Sequence, residues 1–341
     1  MDDHMPMVND CHVQSAGRLK YYVDEWRKLT SDSNILDMVQ HAHLHFSEGF
    51  IPMQHKNVQP YSMSQTERSV VDGELAKLIQ KGVIQEWNET SDQYLSNVFL
   101  RPKKDGSYRL ILNLKELNQQ IEYKKFKMET LDSIIKLMRP GCFMCSLDLS
   151  DAYYSVPVAP EHQKFLCFPW VNQGVRKIYA YTCFPNGLTS APRDFTKLLK
   201  PPLAHLRLLG VTIAIYIDDT YIQGTTAQEC KDHMEMTKDM LQRLGFAINE
   251  NKSVYEPTQK LTMLGFILDS VSMTIRPTKE KSEKIVALCQ TKLEEQRCTI
   301  RDLARLIGNI VATFPGVQFG PLHYREMEVK NQRTQMVQGQ F

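Results

Sequence analysis

The order of strands and helices along the middle of the chain predicts an α+β fold built on a split βαβ, ferredoxin-like sheet. An apolar strand at 142–149 precedes a helix that opens at 189–192 with a hydroxyl cap and a first-turn proline. Two short strands, 211–217 and 220–223, then form a hairpin, and an amphipathic helix follows at 226–244. A further strand completes the pattern, so helices are expected on one face of the sheet.

The flanking segments are assigned from the same signals. Further helices are predicted at 62–81, 278–293 and 300–312, and further strands at 98–100, 108–112, 247–248 and 261–268. Gly82 is expected to stop the first of these helices, and Pro201-Pro202 the one that opens at 189–192. The turn at 104–106 joins the strands at 98–100 and 108–112 into a hairpin.

Composition narrows the class of protein. A chain of 341 residues exceeds one ordinary core, so two or three packed subdomains are expected. Hydrophobic residues make up 42% and charged residues 23%, as in globular proteins, and no apolar run approaches the ~20 residues of a membrane helix. The eight cysteines lack zinc-site spacing, and the N-terminus does not resemble a signal peptide. These features predict an intracellular location, cytoplasmic or nuclear.

Three aspartates are the candidate catalytic groups. Asp148 closes one apolar strand, and Asp218-Asp219 lie at the tip of a hairpin. If these strands are neighbours, two of the carboxylates at a separation of about 4 Å repel by about 4 kcal/mol at an effective dielectric constant near 20. A divalent cation with a preference for oxygen ligands would relieve that repulsion. On spacing alone the alternative stays open, because paired aspartates also suit an ordinary turn.

Six segments resemble, in order, the motifs of reverse transcriptases. They are 103–118, 146–157, 184–192, 216–219, 244–252 and 263–266, and the third and fourth read FPNGLTSAP and YIDD. The resemblance implies a right-hand polymerase with fingers, palm and thumb, whose palm is the ferredoxin-like sheet. It also implies an RNA-directed DNA polymerase, a nucleotidyltransferase, which adds deoxynucleotides to a primer 3′-hydroxyl.

The resemblance assigns a role to each matching residue. Asp148, Asp218 and Asp219 would bind two Mg²⁺ ions, with Mn²⁺ as an alternative. The residues implied to bind the deoxynucleoside triphosphate are Lys103, Lys104, Arg109, Asp151, Ala152, Tyr153, Asn186 and Gly187. Among them Arg109 and one of the two lysines would clamp the triphosphate, and Tyr153 would exclude a ribose 2′-hydroxyl. Lys252 would act as the general acid for pyrophosphate, and Leu264 and Gly265 would grip the primer.

Two positions depart from the retroviral pattern. Asn186 stands where retroviruses usually have glutamine, and the β-branched Ile217 fills the variable position of YIDD. Three other segments, 17–32, 191–198 and 300–308, are similar to DIRS-type retrotransposons, the group that uses a tyrosine recombinase. The resemblance therefore implies a retrotransposon polyprotein.

The same resemblance divides the chain. It implies an N-terminal extension at 1–60, fingers at 61–140 and 158–183, palm at 141–157 and 184–268, and thumb with the start of a connection at 269–341. The expected partners are a primed RNA or DNA template and deoxynucleoside triphosphates, with no membrane. An RNase H domain and a recombinase are expected to be missing from this chain. Two alternatives remain: an inactive relic that only binds nucleic acid, and another two-metal palm enzyme such as a nucleotidyl cyclase.

Overall fold

The structure, a computed structural model, describes residues 16–49, 58, 61–103, 106–172, 174–295, 298–325 and 328–329. Its helices are α1 Val23–Leu29, α2 Ser33–His41, α3 Gln65–Gln80, α4 Lys115–Asn118, α5 Leu131–Leu137, α6 Pro160–Gln163, α7 Ala191–Leu198, α8 Lys200–Leu208, α9 Ala227–Arg243, α10 Lys279–Glu294, α11 Ile300–Val311 and α12 Gly320–His323. Its strands are β1 Ile84–Trp87, β2 Val98–Pro102, β3 Tyr108–Leu112, β4 Phe143–Ser150, β5 Cys167–Asn172, β6 Val175–Tyr181, β7 Thr212–Tyr216, β8 Asp219–Gly224, β9 Ala247–Ile248, β10 Val254–Thr258, β11 Lys260–Met263, β12 Phe266–Asp269 and β13 Thr274–Pro277.

The central sheet has the strand order β10-β4-β8-β7, with β9 paired to the end of β4. The neighbouring strands are antiparallel, and α7 and α8 connect β4 to β7 while α9 connects β8 to β10. This is the order of a split βαβ, ferredoxin-like sheet, which confirms the predicted fold class. The predicted strand 247–248 is present as β9, but the strand that closes the sheet is β10, which was not predicted. The segment carries Glu256 and Pro257, which suit an edge strand but weaken the strand signal in the sequence.

Each face of the central sheet is covered by different elements. Apolar side chains of α8 and α9 pack on one face, where they meet Cys145 and Leu147 of β4. The other face, which includes Met144, packs against α5 and the small sheet β11-β12-β13. Because side chains alternate along a strand, Asp148 lies on the same face as Met144, away from α8 and α9.

Local capping explains where α3 begins and ends. Ser64 and Glu67 form a capping box, in which the Ser64 Oγ accepts from the Glu67 N–H at 3.2 Å and Glu67 accepts from the Ser64 N–H at 2.8 Å. The start therefore lies close to the predicted one. Gly82, with φ +68°, ends the helix as expected. Val71 and Leu75 face the core, whereas Ile79 is exposed.

One boundary prediction is confirmed and another was wrong. The helix that opens at 189–192 is α7, which ends at Leu198, close to the predicted end, and Pro201 and Pro202 lie in the first turn of the next helix, α8, where a missing N–H costs nothing. The single strand predicted at 261–268 is instead the hairpin β11–β12. Its two turn residues, Leu264 and Gly265, both have positive φ, as the tight hairpin turn requires.

The remaining strands form a three-stranded sheet, β1-β6-β5, and the hairpin β2–β3. The segment ahead of α3 is anchored to the C-terminal end of α9, since Trp26 is fully buried and its Nε1 donates to the Leu244 carbonyl at 3.0 Å. No helix among the described residues is long and apolar enough to cross a membrane.

Candidate active site

Strand pairing brings the three predicted aspartates together. Asp148 of β4 lies directly opposite Asp219 of β8, so their side chains share one face of the sheet. Asp218 occupies the two-residue turn between β7 and β8, and its carbonyl accepts a hydrogen bond from the Leu149 N–H at 3.0 Å. Asp148 and Asp218, which are seventy residues apart in the sequence, thus lie in one cluster at one end of the sheet.

The cluster carries negative charge that is poorly neutralised. Burial, together with the charges of Asp218 and Asp148, raises the pKa of Asp219 to about 6. Burial also raises the pKa of Asp148, against the opposing effect of Lys252, whose Nζ lies 3.9 Å from the Asp148 Oδ1. Lys252 is largely exposed, so its attraction is screened by solvent.

The donor set fits a divalent cation. Within the part of the chain that the structure describes, no three His, Cys, Asp or Glu side chains are close enough together to hold an ion as they stand. The three carboxylates nevertheless share one sheet end, and the charge of Asp218 contributes to the raised pKa of Asp148 and of Asp219, which is the situation that a cation stabilises. Carboxylate oxygens suit Mg²⁺ or Mn²⁺ better than softer metals.

The raised pKa of Asp219 predicts a pH-dependent effect of Asp219→Asn on stability. Because the native pKa is about 6 and the ordinary value 3.8, the native state binds more protons between these values than the unfolded state. The free energy of unfolding of the metal-free protein therefore falls as the pH rises through that window, and stays lower above it. Asparagine cannot ionise, so its stabilising effect relative to wild type should grow over the same window. Urea unfolding with a chelator present tests this, and a difference that does not vary with pH would contradict it.

The turn that carries Asp218 is strained. Ile217 has φ +59°, a conformation that suits glycine and is a rare one for a β-branched residue. Its side chain packs against the main core, which holds the residue in place. Strain of about 1–3 kcal/mol at such a position is characteristic of functional turns, because the surrounding structure must enforce it.

A cleft of about 740 Å³ opens beside the aspartates. Its lining includes most of the residues predicted for substrate binding and catalysis: Lys103, Arg109, Asp148, Asp151, Ala152, Tyr153, Asn186, Asp218 and Lys252. Gly187 and Asp219 are not part of this lining, although each follows a lining residue in the sequence, and Lys104 lies outside the described residues. Lys103, Arg109 and Lys252 therefore line the same cavity as Asp148 and Asp218.

The aromatic residues of the cleft are held by specific contacts. The Tyr153 ring packs edge-to-face on Phe195, with ring centroids 5.6 Å apart. Burial and the nearby Asp218 raise the pKa of Tyr153 to about 12, so the hydroxyl stays protonated. Asn186 donates through Nδ2 to the Tyr154 hydroxyl at 2.9 Å, which fixes the amide at the cleft wall.

Asn118 is a structural support that the sequence prediction did not single out. Its Nδ2 donates to the Gly187 carbonyl at 2.8 Å, and its Oδ1 accepts from the Thr189 N–H at 3.0 Å. The side chain thus ties the turn at Gly187 to the segment that follows β3. Its position at the end of the motif 103–118 was the available signal.

Replacing Gly187 by alanine should destabilise the protein by about 1–3 kcal/mol. Gly187 has φ +102°, and a Cβ there would lie 3.2 Å from the Leu112 carbonyl oxygen, which is backbone and cannot move aside cheaply. Chemical denaturation measures the loss. Gly106→Ala is the matched control, because Gly106 also has positive φ but open space around it, so its loss should be smaller. Equal losses at the two sites would contradict the close approach.

Two further side chains, Arg18 and Ser253, hold the backbone at the end of β4. Arg18 is buried and donates through Nε to the Gly245 carbonyl and through Nη2 to the Ser150 carbonyl, both at 2.9 Å. The Ser253 hydroxyl accepts from the Asp148 N–H at 3.1 Å and donates to the Asn249 carbonyl at 2.8 Å. These contacts hold the backbone of the acidic cluster, and nothing in the residue types alone predicted them.

The predicted primer grip lies apart from the cleft lining. Leu264 and Gly265 form the β11–β12 turn, where a Cβ on Gly265 would lie 3.3 Å from the Lys281 side chain of α10. The Lys281 Nζ lies 3.7 Å from the centroid of the Phe266 ring. The turn is therefore packed against the helix predicted to be the thumb, and its role stays a prediction.

The part of the chain that forms this site also matches a known protein family. Residues 101–268 match the model of the family described as reverse transcriptase (RNA-dependent DNA polymerase). These residues form a reverse transcriptase domain. The matched region runs from β2 through β12 and contains the aspartate cluster and the cleft residues of the β2–β3 hairpin. The domain is of the type found in retroviral and long-terminal-repeat retrotransposon polyproteins, to which its sequence is similar.

Similar sequences come from viruses and a transposon. The chain is 24% identical over 237 residues to the Pro-Pol polyprotein of Simian foamy virus type 1, which covers 70% of this chain and 19% of that polyprotein. It is 25% identical over 225 residues to the Gag-Pol polyprotein of Avian reticuloendotheliosis virus, with 64% and 19% covered. The Transposon Tf2-3 polyprotein of Schizosaccharomyces pombe is 23% identical over 238 residues, with 69% and 17% covered. The matches thus span about a fifth of these relatives.

One solved structure has the same fold. It is a foamy viral protease-reverse transcriptase in complex with double-stranded DNA, with a TM-score of 0.60 and 19% identity, and the match covers 90% of this chain and 52% of that one. The reverse transcriptase domain therefore has the polymerase fold that the sequence predicted.

Proposed function

We propose that the chain is an RNA-directed DNA polymerase that extends a primer 3′-hydroxyl with deoxynucleotides. The observation that carries the proposal is the pairing of Asp148 with Asp219, next to Asp218, at the end of a cleft lined by Lys103 and Arg109. Carboxylates at one end and cations at the other suit a triphosphate that is attacked at the phosphorus nearest the sugar. The family match over 101–268 supports the same reaction.

Asp148, Asp218 and Asp219 would hold two divalent ions, Mg²⁺ or Mn²⁺. Bound there, the ions would lower the pKa of the primer hydroxyl and neutralise charge on the phosphates. The protein's own contribution is to keep the three carboxylates at one end of a sheet. Arg18 and Ser253 hold the backbone of this end through the hydrogen bonds described above.

The remaining cleft residues act on the nucleotide. Arg109 and Lys103 bind the triphosphate, since guanidinium and ammonium groups suit phosphate oxygens, and the backbone of Asp151 and Ala152 lies along it. Tyr153 is proposed to close the space that a ribose 2′-hydroxyl would need.

Asn186 and Gly187 pack on the base pair that forms, and Lys252 donates a proton to the departing pyrophosphate. Lys252 lies beside Asp148 and is largely exposed, so it can reach a leaving group in the cleft. Leu264 and Gly265 would position the primer end.

The subdomain limits follow the implied division. Fingers at 61–140 and 158–183 contain the hairpin β2–β3 and the sheet β1-β6-β5, and palm at 141–157 and 184–268 contains the central sheet. The thumb would begin at 269 with α10. A primed RNA or DNA template is the proposed partner, which the duplex bound by the foamy viral neighbour supports.

The broader assignment is to a retrotransposon polyprotein of the DIRS type. The support is the similarity of 17–32, 191–198 and 300–308 to that group. The first of these segments has a structural role, because Arg18 and Trp26 bind it to backbone carbonyls of the proposed palm. RNase H and a recombinase would be the neighbouring functions in such a polyprotein.

Templated incorporation tests the function. The chain is mixed with a primed RNA template, Mg²⁺ or Mn²⁺ and one deoxynucleotide at a time, while binding of the same duplex is measured in parallel. Extension only with the nucleotide that complements the template is the expected result. Binding without extension under both metals would identify an inactive relic instead, and formation of a cyclic nucleotide without primer would identify a cyclase.

A further inference from the structure

Lys81 reaches the candidate nucleotide cleft from outside the motifs that predicted the site. It follows the last residue of α3, and its Nζ lies 2.6 Å from the Asp151 Oδ2. The two residues are seventy positions apart, so the contact joins the fingers helix to the loop after β4. Lys81 and Asp151 both line the cleft that is also lined by Arg109, Asp148 and Asp218.

The backbone of Lys81 is fixed, although its side chain is partly exposed. Its carbonyl accepts from the Ala16 N–H at 2.9 Å, and its N–H donates to the Lys77 carbonyl at 3.0 Å. The next residue, Gly82, accepts from the Thr182 hydroxyl at 2.6 Å, which ties the helix end to the residue after β6. A side chain that starts from an anchored position loses less conformational entropy when it binds a ligand.

The ion pair itself contributes little to stability, because both partners contact solvent. Its effect on a bound triphosphate is larger. The Asp151 carboxylate would repel the phosphates, and Lys81 neutralises it. An ammonium group carries three donors, of which the contact with Asp151 uses one, so two remain for phosphate oxygens.

We propose that Lys81 binds the triphosphate of the incoming nucleotide directly, beside Lys103 and Arg109. Before the nucleotide arrives, Asp151 holds the ammonium group over the cleft. The inference rests on the proposed polymerase function and adds a substrate contact that comes from α3. It makes the end of α3 a determinant of nucleotide affinity.

The first test compares steady-state primer extension by wild type and Lys81→Ala. The KM for deoxynucleotides is expected to rise about tenfold, with kcat nearly unchanged, because one charged hydrogen bond to the ground-state nucleotide is lost. Lys81→Arg should recover most of the affinity. Lys136→Ala is the matched control, since Lys136 is an exposed helical lysine paired with Asp132 and does not line the cleft. An unchanged KM in Lys81→Ala, with normal wild-type extension, would overturn the inference and leave the proposed function standing.

The second test separates direct binding from simple neutralisation of Asp151. Asp151→Asn removes the repulsive charge, and asparagine tolerates the φ of +50° at this position. If Lys81 contacts the triphosphate, Lys81→Ala with Asp151→Asn should keep a KM well above that of Asp151→Asn alone. Equal KM values in these two variants would overturn direct binding. Absence of any extension by wild type would instead overturn the proposed function.

Discussion

Primer extension by Asp218→Asn is expected to be slower than wild type by about a thousandfold or more. The metal ions of such a site supply several kcal/mol of transition-state stabilisation, and each 1.36 kcal/mol corresponds to a factor of about ten in rate. Asparagine keeps the size of the side chain but removes the negative charge that holds the ions. Asp148→Asn should have a similar effect, since Asp148 lies across the same sheet end. Single-turnover extension of a primed RNA measures both.

Folding controls distinguish lost chemistry from lost structure. The Asp218→Asn protein should unfold at the same urea concentration as wild type or a higher one, because the charge of Asp218 raises the pKa values of Asp148 and Asp219. Asp132→Asn, at an exposed helical position, is the matched control and should extend primers normally. Activity within a few-fold of wild type in Asp218→Asn would remove these residues from the mechanism.

The second large effect is expected for Tyr153→Val. Loss of the ring should increase incorporation of ribonucleotides relative to deoxynucleotides on the order of 100-fold, the selectivity that shape alone gives against an added hydroxyl. Tyr153 is suited to this role because its packing on Phe195 fixes the ring at the cleft wall beside Asp218. The ratio of kcat/KM for matched ribo- and deoxynucleotides is the measurement.

Tyr123→Val controls for general effects of removing a tyrosine, because Tyr123 is highly exposed and does not line the cleft. Its selectivity should equal that of wild type. A Tyr153→Val enzyme that still excludes ribonucleotides as well as wild type would show that another group closes the space near the sugar.

Much of the fold follows from local signals. The helix that begins after Ser64 has a capping box, and α9 and α10 begin after Thr226 and Thr278, whose hydroxyls accept from the first turn. The β7–β8 hairpin was predicted from its apolar strands. In these segments the chain's own capping and turn residues decide where an element begins, so the residue types are sufficient.

Other elements depend on tertiary contacts. The strands β5 and β6 include Pro169 and charged residues such as Arg176, so their pattern alone is weak. They become strands because β1 pairs with β6 and the C-terminal half of β6 is buried. The edge strand β10 is similar, since its pairing with β4 compensates for Pro257.

The site was predictable only in part, because some of its residues lie at strand ends and others act through tertiary contacts. Asp148, Asp218 and Asp219 were found from strand ends, and strand pairing then brings them together. The supports Arg18 and Ser253 act through backbone groups that are distant in sequence. Such contacts leave no spacing pattern, which is why Lys81 also had no place in the predicted site.

Metal rescue at Asp218 tests whether this residue binds a catalytic metal ion. In Asp218→Cys a thiolate replaces a carboxylate, so Mg²⁺ should bind poorly, while softer ions such as Mn²⁺ or Cd²⁺ should be accepted. We expect this variant to extend a primed RNA very slowly with Mg²⁺ and substantially faster with Mn²⁺ or Cd²⁺, whereas Asp218→Asn should stay slow with all three. Full activity of Asp218→Cys with Mg²⁺ would contradict the assignment of Asp218 as a metal ligand.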